Sequence, residues 1–178
     1  MVSQIVERIR QKDQRAMSQL YQMYVEELSS VCYRYVPNDD DAKDVLQNSF
    51  IKIFTSIPTL EYRGEASFRG WMKKVVANEA LTFLRNRKKL LFAEQDVEIG
   101  NISEEDIEPD PELISPDELH QLISELPDGY RTVLNLYVFE NYSHRQIAEL
   151  LSITEGTSAS QLHHAKQWLA RRIKKMKE

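Results

Sequence analysis

The stretch from Ser143 to Met176, SHRQIAELLSITEGTSASQLHHAKQWLARRIKKM, constrains this chain most. It reads as helix, turn, helix. Ser143 and Gln146 form an S-x-x-Q capping box, so a helix starts there, with Ile147, Leu150 and Leu151 on one apolar face. Ser152 and Ile153 make the turn. Thr154 suits the N-cap of the next helix, and Glu155 suits the positive end of its dipole. That helix is expected to bury Leu162, Ala165, Leu169 and Ile173. At 100° per residue, Thr157, Ser160, His164 and Arg171 then point away, with Gln161 at the edge. Short hydrogen-bonding side chains near a helix N-terminus suit base edges in a major groove. The helix end carries Lys166, Arg171, Arg172, Lys174, Lys175 and Lys177, which suit phosphates. The alternative is two packed helices with a solvated basic tail.

Long stretches of 3.6 period, with only five glycines and six prolines in 178 residues, predict an all-α fold. The net charge of −5 looks wrong for a nucleic-acid binder, but the average hides a pattern. Residues 1–90 carry 15 basic and 11 acidic side chains; residues 91–118 carry 11 acidic and none basic; residues 119–178 carry 8 basic and 6 acidic. Two mildly basic ends flanking an acidic middle point to polyanion contact at the ends. The lone cysteine, Cys32, excludes an intramolecular disulfide and a zinc site built on several cysteines, and its apolar helical setting predicts a buried thiol. Charged residues from Glu7 to Asp13 interrupt any signal peptide, and no apolar run approaches the roughly 20 residues that span a bilayer. A soluble, cytoplasmic protein without membrane insertion is expected.

From the N-terminus, residues 3–36 read as helical. Met17, Leu20, Tyr21, Tyr24, Leu28, Val31, Cys32 and Tyr35 form the core stripe, Asp13 caps the main segment and Pro37 stops it. Asp39, Asp40 and Asp41 open a second helix at its positive end. Its apolar positions are Ala42, Val45, Leu46, Phe50, Ile53, Phe54 and Ile57. Asp44, Gln47, Asn48 and Ile51 face elsewhere, either as plain surface or as a polar docking face around one exposed aliphatic. Thr59 to Ala66 is a loop that presents Tyr62 and Arg63. Ser67 is read as the cap of a third helix that buries Phe68, Met72, Val75, Val76, Phe83 and Leu84. Lys73, Lys74, Asn78 and Arg85 lie on its other faces. With Tyr62 and Trp71 they interleave aromatics and cations, a mixture suited to single-stranded nucleic acid. A core role for Trp71 is the competing reading.

Residues 91–116 read as an acidic, proline-interrupted linker, extended or disordered in isolation. The C-terminal domain begins at Asp117. DELHQLISEL gives one short helix. Pro127 opens the next, DGYRTVLNLYVF, and the helix-turn-helix comes after it.

Taken together, these motifs resemble a sigma-70-family RNA polymerase sigma factor of the extracytoplasmic-function (ECF) type. DDDAKDVLQNSFIKIF looks like that family's polymerase-docking helix. YRGEASFRGWMKKVVANEALTFLRNRKK looks like its promoter-melting loop and helix. LPDGYRTVLNLYVFENYSHRQIAELLSITEGTSASQLHHAKQWL looks like its promoter-reading domain. The resemblance implies residues 1–90 as a region 2-like domain, 91–116 as linker and 117–178 as a region 4-like domain. It assigns Asp44, Gln47, Asn48, Ile51 and Lys52 to polymerase binding. Tyr62, Arg63, Ser67, Trp71, Lys73, Lys74, Asn78 and Arg85 fall to the −10 element. Arg145, Thr157, Ser158, Ser160, Gln161, His164, Lys166 and Arg171 fall to the −35 element. The implied partners are bacterial RNA polymerase core, promoter DNA and an anti-sigma factor. No cofactor, metal or catalytic residue is implied.

The chain departs from the family at Thr82 and Asn48, where an acid is usual or frequent, and at Ser152, where glycine is common. GTSASQL replaces the frequent GTVKSRL, so Ser158 stands at a usual buried valine, while Ala159 and Gln161 replace two cations. Gln161 is thereby expected to be free for a bidentate contact, for example to adenine. Two promoter elements two to three helical turns apart would be roughly 70–105 Å apart. A 26-residue linker reaches roughly 90 Å fully extended but averages about 30 Å as a coil, so a polymerase must hold it nearly straight. In the free chain the acidic linker is expected to lie against the basic tail and suppress DNA binding.

A stand-alone helix-turn-helix regulator would explain the C-terminal domain and leave residues 1–90 without a role. A metal enzyme finds little support. His163 and His164 are adjacent and therefore about 100° apart on a helix, and His120 and His144 lie in other segments. No phosphate loop or G-x-S-x-G motif is present.

Overall fold

A computed structural model describes residues 1–87 and 110–178. The described residues are helices, turns and loops with no strand, and they divide into two compact units, Met1–Leu84 and Arg85–Glu178. Most of the acidic stretch 91–116, together with its expected contact with the basic tail, lies outside the described residues.

The first unit is built from α1 (Val2–Arg10), α2 (Gln14–Tyr35), α3 (Asp39–Ser56) and α4 (Glu65–Asn86), with a 3-10 turn at Ile57–Thr59. The helical stretch over 3–36 is divided in two, with the main segment starting at the expected Asp13 cap. The chain turns at Lys12, where φ is +64°, and Asp13 restarts it by accepting hydrogen bonds from the Arg15 and Ala16 amides. The break turns Val2, Ile5, Val6 and Ile9 inward. Asn38 caps α3 through the Asp41 amide, and Asp39, Asp40 and Asp41 fill its first turn as expected. Helix α4 begins at Glu65, directly after Gly64 at φ +106°, so Ser67 sits inside the first turn and is not the cap. Phe68, Met72, Val76, Ala77, Ala80, Leu81 and Leu84 carry the α4 core, with Val75 and Phe83 half-buried. Cys32 is fully buried, its thiol donates to the Ala42 carbonyl at 3.3 Å, and burial pushes its pKa up to about 12.

The second unit contains α5 (Pro116–Glu125), α6 (Asp128–Leu134), α7 (His144–Leu151) and α8 (Glu155–Lys177). Capping boxes start α5, through Ser115 and Glu118, and α7, through Ser143 and Gln146. Every residue of α6 is buried, apart from its half-buried first residue, Asp128. The helix expected to run through Phe139 widens into a π turn at Asn135–Phe139, closed by the Glu140 amide on the Asn135 carbonyl at 3.1 Å. One extra residue in a turn rotates the residues beyond it by about 100°. Leu136 therefore stays inside, whereas Tyr137, Val138 and Phe139 emerge on the surface. The helix-turn-helix forms as the sequence predicts: Ser152 ends α7 in the left-handed region at φ +56°, and Thr154 caps α8 through the Thr157 amide.

Candidate nucleic-acid interface

On α3, Asp44, Gln47, Asn48 and Ile51 recur at steps of three and four and are all exposed, with Ile51 54% accessible. Lys52 is exposed as well but is not idle surface, because its ammonium pairs with Glu79 of α4. Beside α3, Tyr21 of α2 is partly exposed and lies over Phe50 with ring centroids 4.7 Å apart.

Helix α4 and the loop before it bring the sequence-predicted aromatics together. Phe68 is buried. Tyr62 flanks it at 5.7 Å and Trp71 stacks on it at 5.6 Å with a 27° interplanar angle. Tyr62 and Trp71 are half-buried, so each keeps some ring surface open. Trp71 is thus neither a plain core residue nor a fully exposed one. The Arg10 guanidinium pins the loop by donating to the Leu60 carbonyl at 2.6 Å. Arg63, Ser67, Lys74, Asn78 and Arg85 are exposed, and Arg63 makes a local, solvent-exposed pair with Glu61 at 2.7 Å. Lys73 is held by Glu27 of α2 at 2.7 Å, and the same carboxylate oxygen takes Arg69 at 2.8 Å. The Arg69 hydrogen bond, with that of Lys73 second, lowers the Glu27 pKa below its usual value of 4.5. Arg69 and Glu27 did not emerge from the sequence pattern. The four-residue spacing of Arg69 and Lys73 was a usable signal for the first, but the partner on α2 needs the packing.

On the helix-turn-helix, Arg145 and Ser160 are exposed, and Thr157, His164, Lys166 and Arg171 are half-buried. Two residues assigned to the −35 element lie inside. Ser158 has no accessible surface, and its hydroxyl is 2.9 Å from His144 Nδ1 of α7. Gln161 is 5% exposed, and its Oε1 has no hydrogen-bond partner among the described residues. The reason is geometric: Ser158 stands four residues before Leu162, and Gln161 four before Ala165, so both fall on the buried stripe. Gln161 is therefore not free for adenine in this conformation. Sequence reasoning missed His144, which carries the Ser158 contact and stacks on Tyr137 at 4.7 Å, tying the π turn, α7 and α8 together. It also missed Arg131, whose buried guanidinium donates to the Leu126 carbonyl at 2.6 Å and to Asp128, capping the end of α5. Among the described residues, no cluster of His, Cys, Asp and Glu is arranged to hold a metal ion, and no helix is long and apolar enough to cross a membrane.

A helical body with a stacked aromatic edge among cations, and a second body carrying a helix-turn-helix, define a class of two-module helical nucleic-acid-binding proteins. Comparison with known proteins narrows this. The family model for Sigma-70 region 2 matches residues 20–90, and the one for Sigma-70, region 4 matches residues 117–169. The chain is 30% identical over 174 residues to the RNA polymerase sigma-H factor of Pseudomonas aeruginosa, covering 92% of this chain and 89% of that one. It is 29% identical over 180 residues to the ECF RNA polymerase sigma-E factor of Haemophilus influenzae, covering 95% and 93%. It is 23% identical over 184 residues to the ECF RNA polymerase sigma factor SigW of Bacillus subtilis, covering 98% and 97%. Among solved structures it is similar to CnrH in complex with the cytosolic domain of CnrY (TM-score 0.51, 16% identity, 96% of this chain and 95% of that one). It is also similar to the sigma factor RpoE in complex with the anti-sigma factor NepR from Bartonella quintana (TM-score 0.51, 17% identity, 90% and 98%). At these identities the structures speak to the fold alone. The chain belongs to the sigma-70 family of RNA polymerase sigma factors, in its extracytoplasmic-function group.

Proposed function

We propose that this sigma factor divides promoter recognition between its two units, with α3 docking on the polymerase. As a sigma factor it is a transcription initiation factor that binds core RNA polymerase and directs it to promoters. The exposed Asp44, Gln47, Asn48 and Ile51 form the docking face. Tyr62 and Trp71, backed by Phe68, take an unstacked −10 base, with Arg63, Ser67, Lys73, Lys74, Asn78 and Arg85 along its backbone. Thr157, Ser160 and His164 read −35 base edges, and Arg145, Lys166 and Arg171 hold phosphates. Ser158 and Gln161 support that helix from inside.

The Tyr62–Phe68–Trp71 aromatic cluster, on a helix that also carries exposed Lys74 and Arg85, supports this reading. Stacking on an aromatic is worth about 1–3 kcal/mol per base and offsets part of the unstacking penalty. Tethering both units to one polymerase makes the second contact intramolecular, so modest single affinities suffice. The protein acts in the cytoplasm, performs no catalysis of its own and is held inactive by an anti-sigma factor covering these faces.

The test is transcription in vitro with core polymerase on a library of genomic fragments. The expected result is a set of start sites sharing two elements, produced only when both chain and core are present. Trp71→Ala should keep core binding and lower open-complex formation about tenfold or more. A chain that never associates with the polymerase, yet finds a duplex site unaided, would instead be a stand-alone regulator.

A further inference from the structure

The last turn of α1 carries two arginines with different destinations. Arg8 stays in its own neighbourhood, where it meets Asp13 at 2.8 Å. Arg10 crosses to a segment 50 residues further along, where its Nη2 donates to the Leu60 carbonyl at 2.6 Å. Its Nη1 donates to Glu7 at 3.1 Å, and its Nε is buried with no hydrogen-bond partner among the described residues. A buried donor left unpaired costs stability, so packing alone does not explain a guanidinium at this position.

The Leu60 carbonyl stands at the mouth of the loop that carries Tyr62. At one end of that loop the Leu60 amide donates to the Ile57 carbonyl at 3.2 Å. At the other the Phe68 amide donates to the Gly64 carbonyl at 3.0 Å. Between them, among the described residues, no backbone–backbone hydrogen bond holds Glu61, Tyr62 or Arg63. Tyr62 is therefore slung between two anchors, the Arg10–Leu60 bond and the start of α4, with its ring 5.7 Å from that of Phe68. Two residues of chain span at most roughly 7 Å, so a shift at Leu60 is passed to Tyr62 directly.

We propose that Arg10 is a positioning residue for promoter opening: by holding the Leu60 carbonyl it sets where Tyr62 stands, and with it which unstacked −10 base the loop accepts. This rests on the reading of Tyr62 as a base-capturing residue, and Arg10 itself touches no DNA in this role. A loop held before the base arrives need not be ordered at the expense of binding. The planar guanidinium fork fixes a direction as well as a distance, which a lysine ammonium does not.

The probe is holoenzyme, the full chain with core polymerase, on a promoter fragment recovered from the genomic library. The fluorescent base aminopurine is placed in turn at each position of the non-template −10 strand, and its brightening marks the captured base. Opening rates on the four bases at that position give a discrimination ratio, about tenfold or more for the original chain. Arg10→Met keeps the apolar stem and removes the donors. It should slow opening about tenfold, as for one lost charge-assisted hydrogen bond, with affinity for core unchanged. It should also lower the discrimination ratio by about threefold or more, and Arg10→Lys should fall between. Tyr62→Ala should lower the ratio by itself, and adding Arg10→Met to it should cost little more, because the two then act through one element. A merely structural Arg10 would lower the urea midpoint of the first unit and slow opening on all four bases alike; an unchanged ratio therefore overturns the proposal. So does a full second loss in the Tyr62→Ala background. If Arg10→Met does not fold, the ratio measured with Arg10→Lys decides in the same way. If Tyr62→Ala lowers the ratio and the Arg10 variants do not, only the role of Arg10 is lost. If Tyr62→Ala leaves the ratio intact, the base-capture reading fails and the role of Arg10 fails with it.

Discussion

Among the described residues, the unit spanning 1–84 buries 24 apolar side chains and one polar one, Ser49, whereas the unit spanning 85–178 buries 15 apolar and six polar ones. Ser49 is satisfied within its own helix, its hydroxyl donating to the Val45 carbonyl at 2.7 Å. Two of the polar side chains of the second unit instead reach between elements: Arg131 to the end of α5, and Ser158 to His144 at the start of α7. The first unit is held by non-directional burial, which tolerates small shifts. The second adds directional contacts that fix how α7 and α8 meet, at the risk of stranding a buried polar group when one partner is lost. A helix that reads base edges, the role proposed for α8, must be set in angle as well as in position, and directional contacts would serve that need.

Each unit holds one of the chain's two tryptophans, Trp71 and Trp168, so single-tryptophan variants can follow each transition separately. The largest expected effect is that of Arg131→Ala, which leaves the Leu126 carbonyl and Asp128 without their buried partner. It should destabilise the second unit by about 3 kcal/mol or more, lowering the Trp168 transition in urea and leaving the Trp71 transition in place. Movement of both together would show that the units do not unfold independently.

Next is Gln161→Leu, which replaces a buried amide whose oxygen lacks a partner with an apolar side chain of similar size. The second unit should gain about 1–2 kcal/mol, read as a higher urea midpoint. Loss of stability would mean that Gln161 is satisfied in solution by a group such as bound water. Promoter selection should stay unchanged, which separates an interior role from base reading.

The left-handed residues allow a matched pair of substitutions. Ser152→Gly in the second unit and Lys12→Gly in the first, at φ +56° and +64°, should each stabilise their own unit by about 0.5–1 kcal/mol. Differential scanning calorimetry of the two variants checks that each shifts only one transition. A shift of both transitions by one substitution would weaken the comparison.

The smallest effect concerns acid. Because Arg69 and Lys73 hold the Glu27 carboxyl below its usual pKa of 4.5, its contribution is complete above that value and is lost as pH falls through the lowered value in the folded state. The stability gap between the original chain and Glu27→Gln, followed by Trp71 fluorescence, should therefore begin to close as pH falls below about 4.5 and vanish in strong acid. A gap that persists in strong acid would remove the ion pairs as its cause.

Local chemistry made much of this molecule legible from its residues. The Asp13 cap, the Ser143–Gln146 box, the Thr154 cap, the stop after Tyr35 and the buried stripe Leu162–Ala165–Leu169–Ile173 depend on neighbours within a few positions, and the structure contains them all. The family resemblance rested on the same kind of signal, motifs in order along the chain. Where polar residues lie on a buried stripe, residue type and helical angle disagree. For Ser158 and Gln161 the angle decided, since both sit four residues before a core position. The turn-widening at Asn135–Phe139 left no local mark, because Leu136 to Phe139 continue the apolar run of α6 with no glycine or proline to break it.

By itself the sequence determined most of the helices, the caps at Asp13, Ser143 and Thr154, the core stripe of α8 and the face on which Asp44, Gln47, Asn48 and Ile51 lie, because each arises from chain spacing and short-range hydrogen bonds. Only the tertiary structure decided that Glu27 meets Arg69 and Lys73, that Lys52 pairs with Glu79, and that His144 holds Ser158. Those contacts join residues 14 to 46 positions apart on different helices. Their formation depends on how apolar faces interlock, which no window along the chain contains.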